Sequence, residues 1–415
     1  MTVDTDPESL IDIPTAPTTN LLPRKKKVKA WHAPRKQWIR IYQWNAQIEG
    51  LIDEIQSTQV DLVSDISYLS LPGTELLDIR MVLQLCNAKN VRLKFLGFND
   101  PERESTKDVT ALNISESELK QQPNVHPGSV VVKDKLEQLA AQTSTAQLAL
   151  EHFGSLDVIN LDLTHCVANL APNGLQGDYY RAIHQLFEHQ RNRRVKPFLF
   201  FITTRVHPQL IDRSAFGILL GVLSQNFKLH SSFAEKMKGC FGIETSDIAA
   251  AQNDNGFDAI AKYLDKVFSM ALGKWMLNLL LGGGPQWAIE MQESCSYTVH
   301  ASGDPDMFSF AFICRPIKQA SFDHAGLSGL VAAQPFVAVN HELQFAERLI
   351  EAVTKVFDLD RRLNGDDQLK GELVHAATEL MRQAGYDPAD YALEARKQLE
   401  KIAGWLYERS TAVST

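Results

Sequence analysis

Asp162 closes the apolar run "LDVINLDL", and His165 follows it three positions later. A carboxylate at the end of so apolar a strand needs a reason to be there, because acids are almost never buried unless paired. An imidazole that titrates near neutrality beside it could remove the proton of a hydroxyl or thiol substrate. Asp162 and His165 are therefore the candidate catalytic residues; the alternative is a histidine satisfied within local structure. Cys166 comes next without an activating base, so a nucleophilic cysteine is not expected. Three other stretches set polar groups where a strand hands over to a helix. They are "SLPGTE", with Ser70, Pro72, Gly73 and Glu75; "FLGFND", with Asn99 and Asp100; and "VVVKDKL", with Asp134. Each also has a local reading: a turn in which Pro fixes φ and Gly supplies positive φ, an Asn-Asp-Pro turn, and a helix cap at Asp134.

A fourth candidate is the segment from Arg24 to Arg40, which holds eight Lys or Arg residues and no acid although the whole chain carries a formal charge of −8. Lys25, Lys26, Lys27, Lys29, Arg35, Lys36, Trp38 and Arg40 interleave cations with aromatic rings. Such a pattern suits a phosphate backbone with stacked bases or a protein partner. It suits equally an amphipathic helix from roughly Pro34 to Ile55 that packs Trp38, Ile41, Tyr42 and Ile48 on the rest of the fold.

The elements that must hold these residues follow from periodicity. The chain has 415 residues, 44% of them hydrophobic, enough for one large domain with an appendage. No apolar run is long enough to span a bilayer, and the five scattered cysteines form no C-x-x-C pair, so a cytoplasmic protein without membrane contact, disulfide framework or metal site is expected. From residue 60 onward, strand-length apolar runs alternate with helical stretches, the pattern of a doubly wound parallel sheet. Strands are expected within "DLVSDISYLSL", "VRLKFLGFND", "GSVVVKD", "LDVINLDLTHC" and "KPFLFFITTRV", with one helix covering "KLEQLAAQTSTAQLALEHF". Residues 209–290 read as a mostly helical insertion, and "SCSYTVHA" with "MFSFAFICRPI" as a hairpin. The organisation expected is a disordered, basic arm over 1–33, one α/β domain over 34–320, and a helical region over 341–415.

Five parallel strands closed by an antiparallel hairpin resemble the class I S-adenosylmethionine-dependent methyltransferases over roughly residues 60–320. The resemblance implies a mostly parallel, seven-stranded, doubly wound sheet of order 3-2-1-4-5-7-6 with extra helices, and a cofactor across the carboxyl ends of strands one to four. It implies S-adenosylmethionine as cofactor and methyl transfer as the activity, with an unidentified substrate. On that reading Ser70, Pro72, Gly73 and Glu75 form the first cofactor turn, with Leu71 or Glu75 where the family uses glycine. Pro72-Gly73 is also similar to the "FAGPG" turn of three-Cys-motif partner proteins. Asn99 and Asp100 take the ribose position, Asp134 the adenine position, and Asp162 with His165 the transfer site. "LDLTHC" has no Pro-Pro and no aromatic residue to stack a flipped base, which disfavours base N-methylation. The single glycine of the first turn and Asn99 in place of an acid leave a second reading open, that of an inactive binding or scaffolding subunit contacting nucleic acid or protein through its basic arm.

Overall fold

Strand β1 (Asp65–Ser70) is buried on both faces: Ile66 and Tyr68 enter one apolar core, Leu69 the other. The same two-sided alternation runs through β2 (Arg92–Phe98), β3 (Val130–Val132), β4 (Val158–Asp162) and β5 (Phe198–Arg205), as parallel strands covered by helices require. The computed structural model describes residues 26–58, 65–100, 105–169, 178–252, 256–299, 304–317 and 340–412. Before β1 come α1 (Pro34–Trp38), a π-helical stretch (Ile39–Trp44) and α2 (Asn45–Thr58), one continuous lead-in rod. The crossovers are α3 (Leu77–Ala88), α4 (Thr106–Lys120), α5 (Thr145–Phe153) and α6 (Asp178–Arg193).

The insertion holds α7 (Arg213–Leu229), α8 (Ser231–Phe241), α9 (Thr245–Ala251), α10 (Gly256–Ile260) and α11 (Leu264–Leu281). Its last stretch is not helical as expected: Trp287–Met291 is strand β6, paired antiparallel with the long β8 (Met307–Pro316). The anticipated hairpin is present as β7 (Cys295–Tyr297) against that same β8. The chain ends in α12 (His341–Val353), the two-residue β9 (Phe357–Asp358), α13 (Leu359–Asn364), α14 (Asp367–Gln383) and α15 (Pro388–Ala412).

The strands run in the order β3-β2-β1-β4-β5-β8-β7-β9, with β6 also on β8. This is the methyltransferase-like sheet, its penultimate edge strand broken into β6 and β7 and a parallel β9 added. The break lies at Gln292–Ser294, and the lead-in rod docks on it. Gln43 donates to the carbonyls of Glu293 (3.0 Å) and Ser309 (2.9 Å) and accepts from Ser309 Oγ (2.6 Å). Trp44 stacks on Phe201 of β5, and Trp38, Ile39, Ile48 and Ile52 are buried beside it. Each such side chain contributes about 1.5–3 kcal/mol, so the rod is part of the core. No helix among the described residues is long and apolar enough to cross a membrane.

Two expectations change here. The helix foreseen after β3 is a short 3-10 turn (Leu136–Ala140) and, separately, α5. Lys26 to Ala33, foreseen as the end of a disordered arm, is held by Lys26 Nζ on the Ala384 carbonyl (2.6 Å) and by a 3-10 turn at Ala30–His32. Residues 1–25, Lys25 among them, lie outside the described residues.

Candidate active site

Where β1 to β4 end, their backbones diverge into turns and leave a crevice at the point of strand reversal. A cavity of 230 Å³ occupies it, bounded by Leu71 and Pro72 after β1, Phe98 to Asp100 at the end of β2, Lys135 to Glu137 after β3, Asp162 to Thr164 at the end of β4, and Tyr179 of α6. A larger cavity of 570 Å³ adjoins it. Trp31, Arg35 and Lys36 of the lead-in segment, Arg205, Tyr297, Met307, and Lys397, Lys401 and Trp405 of α15 surround that space. Asp162, Leu163 and Thr164 belong to both linings. The end of β4 is thus the wall between the smaller crevice and the larger chamber.

Alternation along β4 explains which residue reaches that wall. Val158 enters the same core as the lead-in rod and Ile159 and Leu161 the opposite one, so Asn160 and Asp162 face the rod. Asn160 donates to Tyr68 Oη (2.8 Å), which in turn donates to Asp78 Oδ2 (3.0 Å), a buried chain beneath the site. Burial pushes the Asp78 carboxyl above its ordinary range, and Tyr68 well above its own. Asp162 pairs with Lys36 Nζ. Lys36 is buried, and desolvation lowers its ammonium below its ordinary value against the opposing attraction of Asp162. The charged partner of the Asp162 carboxylate is therefore a lysine 126 residues away, not His165. His165 is exposed, lines neither cavity, and uses its carbonyl to hold Arg205 N. Burial pushes the Cys166 thiol up to about 12.

Of the expected cofactor residues, Pro72, Asn99 and Asp100 line the small cavity. Asn99 donates to the Pro72 carbonyl (3.3 Å), tying the first two turns together, and Gly97 lets Pro72 lie flat on β2. The others lie elsewhere. Ser70 is buried within the floor. Gly73 is exposed, its α-carbon turned toward Trp31, and its φ is not positive; the left-handed residue of the turn is Leu76 (φ 52°). Leu76 tolerates this because its side chain is wholly buried.

Glu75 points away from the crevice into a clamp. Tyr386 Oη donates to it (2.9 Å), His32 Nε2 lies 3.5 Å away, and Lys29 Nζ 3.7 Å away. His32 Nδ1 accepts from Lys29 N (3.1 Å), which leaves the proton on Nε2, facing Glu75. Burial raises the Glu75 carboxyl, but hydrogen bonds from His32, Thr74 and Tyr386 outweigh it and hold the group well below the carboxylate range. Asp134 accepts from Ala146 N (3.1 Å), so it secures the first turn of α5 rather than the helix directly after it.

The basic segment is likewise absorbed into the fold. Lys36, Trp38 and Arg40 are 8%, 2% and 6% exposed, so they present no face to a nucleic-acid backbone. Arg40 donates to the Trp31 carbonyl (3.0 Å). Arg35 lies between the rings of Tyr297 and Trp405 and pairs with Asp360. Lys29 sits over Trp31, and Lys26 and Lys27 are exposed. Leu71 was legible as a residue facing the crevice. Lys135, Leu136 and Glu137 follow from their place directly after β3; Lys36 stood out only as one cation of the basic run, and Arg205 and the α15 residues carried no local signal.

A family model described as PP_RS20740-like matches residues 25–395. No curated protein matches the chain. Among solved structures it is similar to the CMeT domain of citrinin polyketide synthase, at 15% identity and TM-score 0.25, with 40% of this chain and 36% of that one covered. It is similar to a protein from Listeria monocytogenes assigned to the class I S-adenosylmethionine-dependent methyltransferases, at 10% identity and TM-score 0.31, covering 68% and 62%. A third likeness is to loganic acid methyltransferase with S-adenosylhomocysteine, at 9% identity and TM-score 0.30, covering 70% and 98%. The chain thus spans about a third of the first of these structures and less than two thirds of the second.

Proposed function

This chain belongs to the PP_RS20740-like family, and from the geometry of its site we propose that it transfers a methyl group from S-adenosylmethionine to a small acceptor. One observation carries the reading: Asp162, at the end of β4, is the common wall of a crevice over four parallel strand ends and of a larger chamber.

The crevice lining fits the adenosine part of the cofactor. Asp100 would hold ribose hydroxyls, because a carboxylate accepts two hydrogen bonds, and Phe98 with Leu136 would border the purine. When bound, the cofactor supplies an electrophilic methyl group on a sulfonium. The chain supplies the rest. Asp162 orients the acceptor and takes its proton, and Lys36 fixes the carboxylate in one direction. The lead-in segment and α15 border the chamber on two sides, so that positioning does most of the work.

Calorimetry with S-adenosylmethionine and S-adenosylhomocysteine tests the reading. The wild type releases heat with both ligands. Asp100→Ala weakens binding by about 10- to 100-fold, the value of hydrogen bonds to a charged group. No heat with either ligand would return the chain to the role of a binding subunit without catalysis.

A further inference from the structure

The larger chamber has a composition at odds with the rest of the chain. Against a formal charge of −8 overall, five cations (Arg35, Lys36, Arg205, Lys397 and Lys401) meet two carboxylates, Asp162 and Glu394, among the described residues of its wall. Three of the five are spoken for: Lys36 by Asp162, Arg35 by Asp360 and Arg205 by Asp306. Among the described residues, no carboxylate pairs with Lys397 or Lys401, and Glu394 accepts from Gln398 (3.1 Å). Lys397, Lys401 and Trp405 repeat every fourth residue, so one stripe of α15 presents two ammonium groups and an indole to the chamber. Lys401 Nζ stands 5.1 Å from the Trp405 ring centre. Across the chamber, Trp31 is 47% exposed and Tyr297 is buried.

An open cleft of 570 Å³ bordered by N-terminal and C-terminal segments has the volume of a small-molecule site. The exposed Trp31 indole and the half-buried Trp405 indole offer flat apolar contact. The two lysines offer positive charge that no carboxylate among the described residues pairs with. We propose that this chamber binds a small planar anion, an aromatic or conjugated body bearing a carboxylate or phosphate, with Lys397 and Lys401 on the acid group and Trp31 and Trp405 on the body. Taken with the reading above, that molecule is the methyl acceptor, with the hydroxyl, thiol or amine to be methylated held toward Asp162 and its acid group toward α15.

The test uses 1-naphthoate, 1-naphthyl phosphate and uncharged 1-naphthamide, titrated into the full chain by calorimetry and by quenching of tryptophan fluorescence. At least one anion binds about tenfold or more tightly than the amide, the worth of one charge-assisted hydrogen bond, and the better of the two anions identifies the acid group. The double variant K397E/K401E, whose two sites are exposed and outside the core, abolishes the preference. Trp405→Ala weakens all three probes alike.

Equal binding of amide and anions, an unchanged anion affinity in K397E/K401E, or no binding of any probe would overturn the proposal. The same preparations titrated with S-adenosylhomocysteine separate it from the methyl-transfer reading. Cofactor heat without anion preference removes only the acceptor class; anion preference without cofactor heat removes methyl transfer and leaves an anion-binding chamber.

Discussion

Replacing Asp162 with Asn probes the pairing on which the site depends. The change keeps the shape of the side chain and removes its charge, leaving the Lys36 ammonium in place with its side chain only 10% exposed. Removing one partner of a buried pair costs about 3–5 kcal/mol. The Asp162 side chain is 22% exposed, so water reaches one side of the site and the loss should be about 2–3 kcal/mol. At about 2.1 cal/mol/K per residue over 415 residues, that corresponds to a fall in Tm of about 3 °C. Lys36→Met leaves instead a carboxylate that water can reach, at a cost of about 1 kcal/mol. The double variant K36M/D162N contains no unpaired charge, so it should be less destabilised than the sum of the two single changes by about 2 kcal/mol.

Alkaline pH supplies a second readout. Burial holds Lys36 below its ordinary value in the folded state, so just beneath that ordinary value the unfolded chain binds more protons and stability rises with pH. Loss of Asp162 removes the opposing attraction, lowers the folded value further and extends this window downward. The deficit of D162N should therefore shrink between pH 7 and about pH 9.5. Urea or thermal unfolding of the four proteins at both pH values gives the cycle. Additivity within about 0.5 kcal/mol, or a deficit independent of pH, would refute the pairing.

Glu75, whose folded-state value is depressed, contributes stability that is fully present above the ordinary carboxylate value, begins to fall as pH drops through that value, and is lost towards the depressed folded-state value below it. Glu75→Gln should remove part of the acid sensitivity of unfolding, measured by Tm from about pH 7 to 4. Gly97→Ala should cost about 1–3 kcal/mol by overpacking, because a Cβ there meets Pro72 Cγ at 2.9 Å and Val131 Cγ2 at 3.1 Å. The shift of Pro72 should also weaken S-adenosylhomocysteine binding, seen in the same calorimetry. Asp134→Ala should cost about 1 kcal/mol through the lost contact at the start of α5, leaving cofactor heat unchanged. A loss of heat comparable to that of Asp100→Ala would instead put Asp134 in the site.

What this sequence determines alone is the layered sheet and the ends of its strands. Continuous apolar runs such as "LDVINLDL" bury both faces whatever their surroundings, and a polar residue can end such a run only where the strand leaves the core. Pro72, Asn99, Asp100 and Asp162 were legible for that reason. The first turn was legible in place and not in detail. Glycine suggested the positive φ there, whereas burial of the whole Leu76 side chain lets a leucine hold it, an effect that only packing reveals. Trp287–Met291 became a strand because β8 is long enough to pair beyond Cys295, which no local pattern records.

Tertiary structure alone decided the partners. Glu75 and Asp134 bear the residue types that a site needs, yet the groups that donate to them are the Tyr386 hydroxyl and a backbone N–H at the start of α5. Lys36 looked like one cation in a basic run until Gln43 and Trp44 seated the lead-in rod on the sheet and delivered its ammonium to Asp162. Lys397, Lys401 and Trp405 reach the same chamber from the far end of the chain. The energy of such contacts depends on distance in space and on exclusion of water, and neither quantity is written in the spacing of residues along the chain.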